Sequence, residues 1–163
     1  MKEITHLNAK GEAHMVDISQ KNITSRLAKA RGFVHIKAET LKKIRDGLVH
    51  KGDVLSVARI AGITAAKKTS DLIPLCHPLL INHVSIDLSL SDNPPGIQVQ
   101  SSVGVSGKTG VEMEALTAVS VTCLTIYDML KSIDKEIIIS DIFLVEKSGG
   151  KSGTYISSAS TQS

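Results

Sequence analysis

The chain has 163 residues, 42% of them hydrophobic and 21% charged, which is typical of one soluble globular domain with a single core. Aromatic residues make up only 2% and Trp is absent, which disfavours a surface that stacks the bases of single-stranded nucleic acid. The net charge of +3 is also too small to predict nucleic acid as the main partner.

The cysteines, Cys76 and Cys123, lie far apart and form no C-x-x-C pair, so we expect free thiols in a reducing compartment. The N-terminal residues contain no apolar segment of the kind that marks a signal peptide, and no apolar run reaches the length of a membrane span. We therefore expect a cytoplasmic protein with no membrane partner.

The first half of the chain predicts one strand followed by two helices. Residues 22–36 alternate in part and contain β-branched side chains, which favours a long strand. An amphipathic helix begins at Ala38 and ends near Gly47, a typical C-terminal glycine. Asp53 is a good N-cap for a second helix, in which Gly62 is expected to be a weak point.

The second half predicts a hairpin, a long helix and a closing strand. Residues 82–91 and 97–106 alternate apolar and polar side chains on either side of a DNPPG turn. Residues 111–133 favour a helix about 30 Å long, and residues 135–147 favour a strand. We expect residues 148–163, rich in Gly and Ser, to be a flexible loop and tail of a single domain spanning residues 1–163.

This β-α-β-β-α-β order predicts an α+β fold of the ferredoxin-like type, with an antiparallel sheet and the helices on one face. The helix at 111–133 is apolar nearly all round, and such a helix must be buried on more than one side. Because one sheet with one helical layer buries only one side, we expect a second subunit to cover the rest.

The start of that helix has more than one interpretation. Thr109 and Glu112 match the T-x-x-E pattern of a capping box, and the residues alone favour this role for Glu112. Glu112 and Glu114 could instead form a carboxylate pair that binds a donor-rich, guanidine-like edge. They could also simply stabilise the first helical turn through their charge.

Asp128 and Lys131 lie three positions apart near the end of the same helix and share a face. They are equally well explained as a surface ion pair worth roughly a few tenths of a kcal/mol or as a pair with shifted pKa values that transfers protons. Apolar neighbours such as Ile126 and Met129 favour partial burial of the pair.

The stretch KKTSDLIPLCHPLLI at 67–81 holds adjacent Cys76 and His77 between two prolines. Pro74 and Pro78 disfavour a helix and predict extended backbone, in which the two side chains point to opposite sides. Taken alone, the pair predicts a buried thiol beside a hydrogen-bonded imidazole. As a metal signal it is weak, because a closed zinc site takes four ligands at recognisable spacings.

The stretch KSGGKSG at 147–153 is typical of a flexible tail, although its glycines and lysines could also form an anion-binding nest. Further lysines at predicted loops and helix ends favour the second interpretation; they are Lys51, Lys67, Lys68, Lys108 and Lys131.

Four longer motifs carry a family resemblance: GEAHMVDIS at 11–19, ARIAGITAAKKTSDLIPLCHPLLI at 58–81, GKTGVEMEALTAVSVTCLTIYDM at 107–129, and KSGGKSG. From about Gly11 to Gly153 the chain resembles the molybdenum cofactor biosynthesis protein C family, the cyclic pyranopterin monophosphate synthases. The resemblance implies a single catalytic domain, a lyase that converts 3′,8-cyclo-7,8-dihydroguanosine 5′-triphosphate to cyclic pyranopterin monophosphate and pyrophosphate by acid/base catalysis. It also implies active sites at a subunit interface in hexamers built from dimers. It implies no required cofactor, although a divalent ion could accompany the triphosphate.

The resemblance further implies roles for individual residues. Asp128, Lys131 and Lys51 are similar to the family's catalytic aspartate and lysines, and a lysine in a cationic cluster is expected to have a lowered pKa. His77 is expected to face the substrate while Cys76 packs away, and no metal ligands are implied. Leu75, Cys76, His77, Met113 and Glu114 match substrate-binding segments of the family. The carboxylates of Glu112 and Glu114 are expected to bind the guanine-derived ring, and Lys67, Arg26, Lys147 and Lys151 the triphosphate.

Two other functions remain compatible with the residues themselves. One is a regulatory module that binds a small molecule without converting it, since ferredoxin-like domains often do so. The other is a metal-dependent hydrolase that uses His77, Cys76 and a carboxylate.

Overall fold

The computed structural model describes residues 7–8 and 10–161. Its helices and strands are β1 (Thr24–His35), α1 (Ala38–Arg45), α2 (Val54–Lys67), α3 (Thr69–Leu72), β2 (His83–Asp92), β3 (Pro95–Gly107), α4 (Glu112–Leu130), β4 (Ile138–Ser148) and β5 (Tyr155–Ile156), followed by a 3₁₀ turn at Ser158–Thr161. All the predicted elements are confirmed within a few residues. The sequence did not predict α3 or β5.

The strands form one antiparallel sheet in the order β2-β3-β1-β4-β5. The first four strands follow the ferredoxin-like arrangement that the element order predicted. The fifth is a short edge strand, in which Tyr155 pairs with Lys147 and Ile156 with Glu146. The segment after Ser148, expected to be only a flexible loop and tail, therefore contributes to the sheet.

Local signals explain where the helices begin and end. The Asp53 carboxylate accepts a hydrogen bond from the Ser56 amide at 3.0 Å and caps α2 as predicted. Gly47 follows α1 with a φ of +68°, a conformation that favours glycine at a helix end.

The helices α2 and α4 lie side by side on one face of the sheet, as predicted. Gly62 of α2 faces Thr122 of α4, where an added Cβ would lie 2.1 Å from the threonine Oγ1. The prediction that Gly62 is a weak point is therefore wrong, because only glycine allows the two helices to approach this closely.

The core lies between the sheet and these helices and is aliphatic, as the composition predicted. Its largest fully buried hydrophobic side chains are Leu41, Ile97, Ile126, Leu130, Val34, Val99, Val103, Val111 and Val119.

The helix α4 is covered by β1, β3 and β4 on one side and by α2 on another. One face stays open and exposes Met113, Leu124 and Tyr127 at 37%, 59% and 38%. These residues lie on one stripe at helical spacing, which we call the α4 stripe. Within the described residues, α4 is the one helix long and apolar enough to cross a membrane, and 56% of that apolar stretch is buried inside the protein as core.

Candidate active site

Functional side chains gather at both ends of α4. We call Glu112, Glu114 and the cavity beside them the N-terminal cluster. Asp128, Lys131 and Lys51 form the C-terminal cluster. The two clusters differ in burial and charge, and each is described in turn.

The cavity of the N-terminal cluster has a volume of about 290 Å³. Three segments line it: residues of the N-terminal stretch, the segment before β2, and the start of α4. The lining residues are Val16, Ile18, Lys21, Leu75, Cys76, His77, Leu79, Thr109, Gly110, Glu112, Met113 and Glu114. Six of the residues expected to bind the substrate are thus brought together: Leu75, Cys76, His77, Glu112, Met113 and Glu114.

Glu114 is the most buried acidic residue of this cavity, with only 4% of its surface exposed. Within the described residues no cation forms an ion pair with it. Burial raises the pKa of its carboxyl group, and the nearby negative charge of Glu112 adds to this effect. A buried carboxylate without a cationic partner is suited to accept hydrogen bonds from a ligand.

Glu112 has a different environment, because its carboxylate accepts a hydrogen bond from Lys147 Nζ at 2.8 Å. Burial would raise the pKa of Glu112, but this hydrogen bond and nearby positive charges outweigh it and leave the pKa lowered. The predicted capping box is wrong. The helix begins at Glu112, Val111 occupies the N-cap position, and no side chain caps it. Glu112 is therefore too early in the helix to act as the acidic member of a capping box.

Arg26 and the glycine-rich stretch lie against this end of the helix. The Arg26 guanidinium donates to the carbonyl oxygens of Gly107 and Lys108 at 3.1 and 3.3 Å. At Gly150, whose φ is +73°, an added Cβ would lie 2.4 Å from Arg26 Nη1, so glycine lets the backbone pass over the guanidinium.

The structure thus gathers only some of the basic residues that were expected to bind phosphates. Arg26, Lys147 and Glu112 line one small cleft with Gly149 and Ser152. Lys151 is exposed in the turn that follows, and Lys67 is exposed at the end of α2, outside the lining of both cavities.

Cys76 and His77 line the same cavity, so the prediction that they point to opposite sides is wrong. A turn closed by the Cys76 amide and the Ile73 carbonyl at 3.1 Å replaces the extended backbone expected around Pro74. His77 Nε2 donates to the Val16 carbonyl at 2.8 Å, which holds the N-terminal stretch over the cavity. Burial raises the pKa of the Cys76 thiol, and the charge of Glu114 contributes, so the thiol stays protonated near neutral pH.

The sequence did not predict the contribution of Val16, Ile18 and Lys21 to this cavity. The stretch is held a second time where Lys108 Nζ donates to the Ser19 carbonyl at 2.6 Å. The one signal in the sequence was the GEAHMVDIS motif, which ends at Ser19 and gives no indication of where the segment lies.

The C-terminal cluster brings Asp128, Lys131 and Lys51 together, as predicted. Lys131 Nζ lies 2.7 Å from Asp128 Oδ1, and Lys51 Nζ lies 3.1 Å from Oδ2. Lys51 also donates to the Asp128 backbone carbonyl at 2.8 Å. The three side chains share one small network that joins the loop after α1 to the last turn of α4.

This network is exposed rather than partly buried, with 58% of the Asp128 side chain accessible to solvent. Hydrogen bonds from Lys131 and then Lys51 lower the pKa of Asp128. The hydrogen bond with Asp128 raises the pKa of Lys131, so the lowered value expected from a cationic cluster is wrong for this lysine in the single chain. The carboxylate partner outweighs the opposing effect of desolvation on the pKa of Lys131.

The two clusters cannot meet within one chain. Glu112 and Asp128 lie 16 positions apart on one helix, which corresponds to about 24 Å along its axis. Within the described residues, no group of three or more His, Cys, Asp or Glu side chains could hold a metal ion.

Comparison with known proteins supports one family. A sequence profile described as the MoaC family matches residues 15–150. A protein of Heliobacterium modesticaldum is 57% identical over 96% of this chain and 98% of its own length. Proteins of Desulfitobacterium hafniense (58% identical over 94% of each chain) and Dinoroseobacter shibae (56% identical over 95% of this chain and 98% of its own) are also similar. All three relatives are named cyclic pyranopterin monophosphate synthase.

Proposed function

The chain belongs to the MoaC family, and from that premise we propose that it converts 3′,8-cyclo-7,8-dihydroguanosine 5′-triphosphate to cyclic pyranopterin monophosphate. The reaction rebuilds the purine-derived ring into a pterin, closes a cyclic phosphate and releases pyrophosphate. It is a lyase reaction of molybdenum cofactor biosynthesis.

The separation of the two clusters is the observation that carries the proposal about the site. The guanidine-like edge and the α-phosphate of the substrate are roughly 10 Å apart, given single bonds near 1.5 Å. The clusters lie about 24 Å apart along α4. One substrate therefore reaches both only if a second copy places its C-terminal cluster beside the N-terminal cluster of the first.

The α4 stripe supplies a surface for that arrangement. A twofold axis across two antiparallel copies of α4 would bury the exposed Met113, Leu124 and Tyr127 and bring opposite helix ends together. It would create two equivalent composite sites per dimer. We further propose that these dimers assemble into hexamers in the cytoplasm.

The N-terminal cluster binds and orients the substrate. The carboxylates of Glu114 and Glu112 accept hydrogen bonds from the donor-rich edge of the ring, and charge-assisted bonds of this kind are strong. Leu75, Cys76, His77 and Met113 form the walls of the cavity. Arg26, Lys147, Lys151 and Lys67 neutralise the triphosphate, which carries more charge than one lysine could balance.

The C-terminal cluster performs the proton transfers. When the ribose-derived hydroxyl attacks the α-phosphate, its oxygen forms the new P–O bond and pyrophosphate leaves with the electrons of the broken one. Asp128, ionised at neutral pH because its pKa is lowered, accepts the hydroxyl proton. Lys131 and Lys51 hold the carboxylate in place and stabilise charge on the phosphate.

No resident cofactor forms part of this proposal. A divalent ion could accompany the triphosphate, and activity after exhaustive chelation tests that point. Product formation from the cyclic triphosphate separates an enzyme from a regulatory binding module. Undiminished activity after chelation, with no stoichiometric metal in the purified protein, would exclude the metal-dependent hydrolase.

Mixing two impaired variants tests the composite site, with substrate held between the KM of the wild type and the higher KM of Glu114→Gln. Glu114→Gln removes a binding group from the N-terminal cluster, and Asp128→Ala removes the base from the other. In a mixed dimer one site carries both defects and the other carries neither, so co-expression in equal amounts should restore about one quarter of wild-type turnover. Turnover no higher than that of either variant alone would contradict shared sites.

A further inference from the structure

Asp134 is a buried carboxylate that the proposed chemistry does not use. Only 1% of its surface is exposed. Its Oδ2 accepts hydrogen bonds from the Lys37 amide at 2.9 Å and from Thr40 Oγ1 at 3.0 Å. Its Oδ1 accepts from the Glu136 amide at 3.0 Å. Three hydrogen-bond donors fix this buried charge in place, because the loss of any one of them would leave a buried carboxylate oxygen with an unmet hydrogen bond.

The three bonds link two parts of the fold. Asp134 follows the last turn of α4, to which its own amide is joined by a hydrogen bond to the Leu130 carbonyl at 3.0 Å. Lys37 and Thr40 belong to the start of α1. Lys37 is the N-cap residue, and its side chain does not cap the helix. The carboxylate thus ties the start of α1 to the end of α4.

The same two parts of the fold supply the C-terminal cluster. Lys51 comes from the loop after α1, and Asp128 and Lys131 come from the end of α4. Their contacts are exposed, and an exposed ion pair holds a geometry only weakly. A fixed distance between Lys51 and Asp128 therefore depends on how the segments on either side of Lys51 are held: α2 packs along α4, and Asp134 ties the start of α1 to the end of α4.

We propose that Asp134 is a positioning residue for the reaction: by fixing the start of α1 against the end of α4, it places Lys51 beside Asp128. This inference rests on the proposed catalytic role of the C-terminal cluster. Thr40 shares the task through its bond to the same oxygen.

The test compares Asp134→Asn with a control of similar stability cost. Asparagine keeps the shape but places an NH₂ group or a weaker acceptor against the donors of Lys37 and Thr40. The expected result is a fall in kcat of about 10- to 100-fold, the usual cost of a misplacement near 1 Å, with KM nearly unchanged. KM is preserved because the binding cavity lies at the other end of α4.

The pH dependence of kcat distinguishes a positioning role from a purely structural one, because a loss of stability alone would leave it unchanged. Lys51 helps to lower the pKa of Asp128, so its displacement should shift the acid limb of the kcat profile to higher pH. Val99→Ala, a fully buried change in β3, should lower the melting temperature but leave the acid limb in place.

The outcomes separate this inference from the function on which it rests. If Lys51→Ala and Asp128→Ala keep wild-type turnover, the role of the cluster fails and this inference fails with it. If those variants lose turnover while Asp134→Asn matches Val99→Ala in kcat and acid limb, only the positioning role is wrong. Should Asp134→Asn not fold, Thr40→Val removes a single bond and decides the question by the same two readouts.

Discussion

The two ends of α4 place carboxylates in opposite environments. At the N-terminal end, Glu114 is almost fully buried without a cationic partner, and its pKa is raised. At the C-terminal end, Asp128 is exposed between two lysines, and its pKa is lowered. The same helix therefore carries one carboxylate that is costly to ionise and one that is ionised easily.

This difference fits the proposed division between substrate binding and proton transfer. A buried carboxylate without a cationic partner gains most from a ligand that donates hydrogen bonds, because the ligand replaces the lost water. An exposed network gains when a second surface excludes solvent and strengthens its electrostatics. In a single chain the first site is already enclosed, whereas the second is a surface ion pair that the proposed second subunit would cover.

The largest expected effect is at the exposed end. Asp128→Ala and Lys131→Ala should each lower turnover by about 10²- to 10⁴-fold, because each removes a group that takes part in proton transfer. The melting temperature should change little, since exposed ion pairs contribute below about 1 kcal/mol. Pyrophosphate release and thermal unfolding measure both effects.

The double variant should be little worse than either single one, because residues that act as a unit are lost only once. Turnover in Asp128→Ala close to that of the wild type would leave the C-terminal cluster as an ordinary surface ion pair.

At the buried end, Glu114→Gln should change substrate binding and protein stability more than turnover. Loss of charge-assisted hydrogen bonds should reduce kcat/KM by about 10- to 100-fold, mainly through KM. The free protein should become more stable at pH 7, because the raised pKa of Glu114 means that folding buries an unfavourable charge.

The pH dependence of that stability gain has a definite sign. The gain should be complete above the folded pKa of Glu114 and disappear as pH falls toward the unfolded value near 4.3. Asp128→Asn is the matched control, since its lowered pKa predicts a slight loss at neutral pH rather than a gain. Chemical unfolding measures the change in the free energy of unfolding for both variants. A change in the same direction for both would show that the contrast between the helix ends is wrong.

A smaller effect is expected from the residues that close the cavity. His77→Ala releases the Val16 carbonyl, so KM should rise roughly tenfold, the cost of about one hydrogen bond, and amide exchange at residues 16–19 should speed up. Cys76→Ser should keep most activity, because its protonated thiol only packs against the cavity. A well-folded but inactive Cys76→Ser protein would show that the thiol has a chemical role.

The smallest effect is expected in the glycine-rich stretch. Lys151 is exposed and does not line the cleft formed by Arg26 and Lys147, so Lys151→Ala should raise KM only a few-fold and mostly at low salt. Triphosphate should slow amide exchange at residues 148–153, whose glycines carry high conformational entropy. Lys147 of this stretch already has an internal partner, because it forms an ion pair with Glu112. Exchange that is already slow without ligand would contradict an ordering role for the substrate.

Local patterns predicted most of the fold because they act over a few residues. The alternation at 82–91 identified β2, Asp53 marked the start of α2, and the order of elements led to the ferredoxin-like sheet. The capping box at Thr109 failed for a related reason. The pattern fitted, but the helix began two residues later than the motif requires, and Lys147 of β4 was a better partner for Glu112.

By itself the sequence determined the elements, the aliphatic core and the residue types available for chemistry, since periodicity, capping and composition are local properties. Only the tertiary structure decided which residues meet. The register of β1 with β4, shifted at Lys29/Ala30 and at Arg31/Phe33, is part of what sets Lys147 beside Glu112. The straight axis of α4 keeps its two clusters apart, and the path of the chain around the core lays residues 16–21 over the cavity. These contacts depend on packing between segments distant in sequence, which local sequence patterns do not predict.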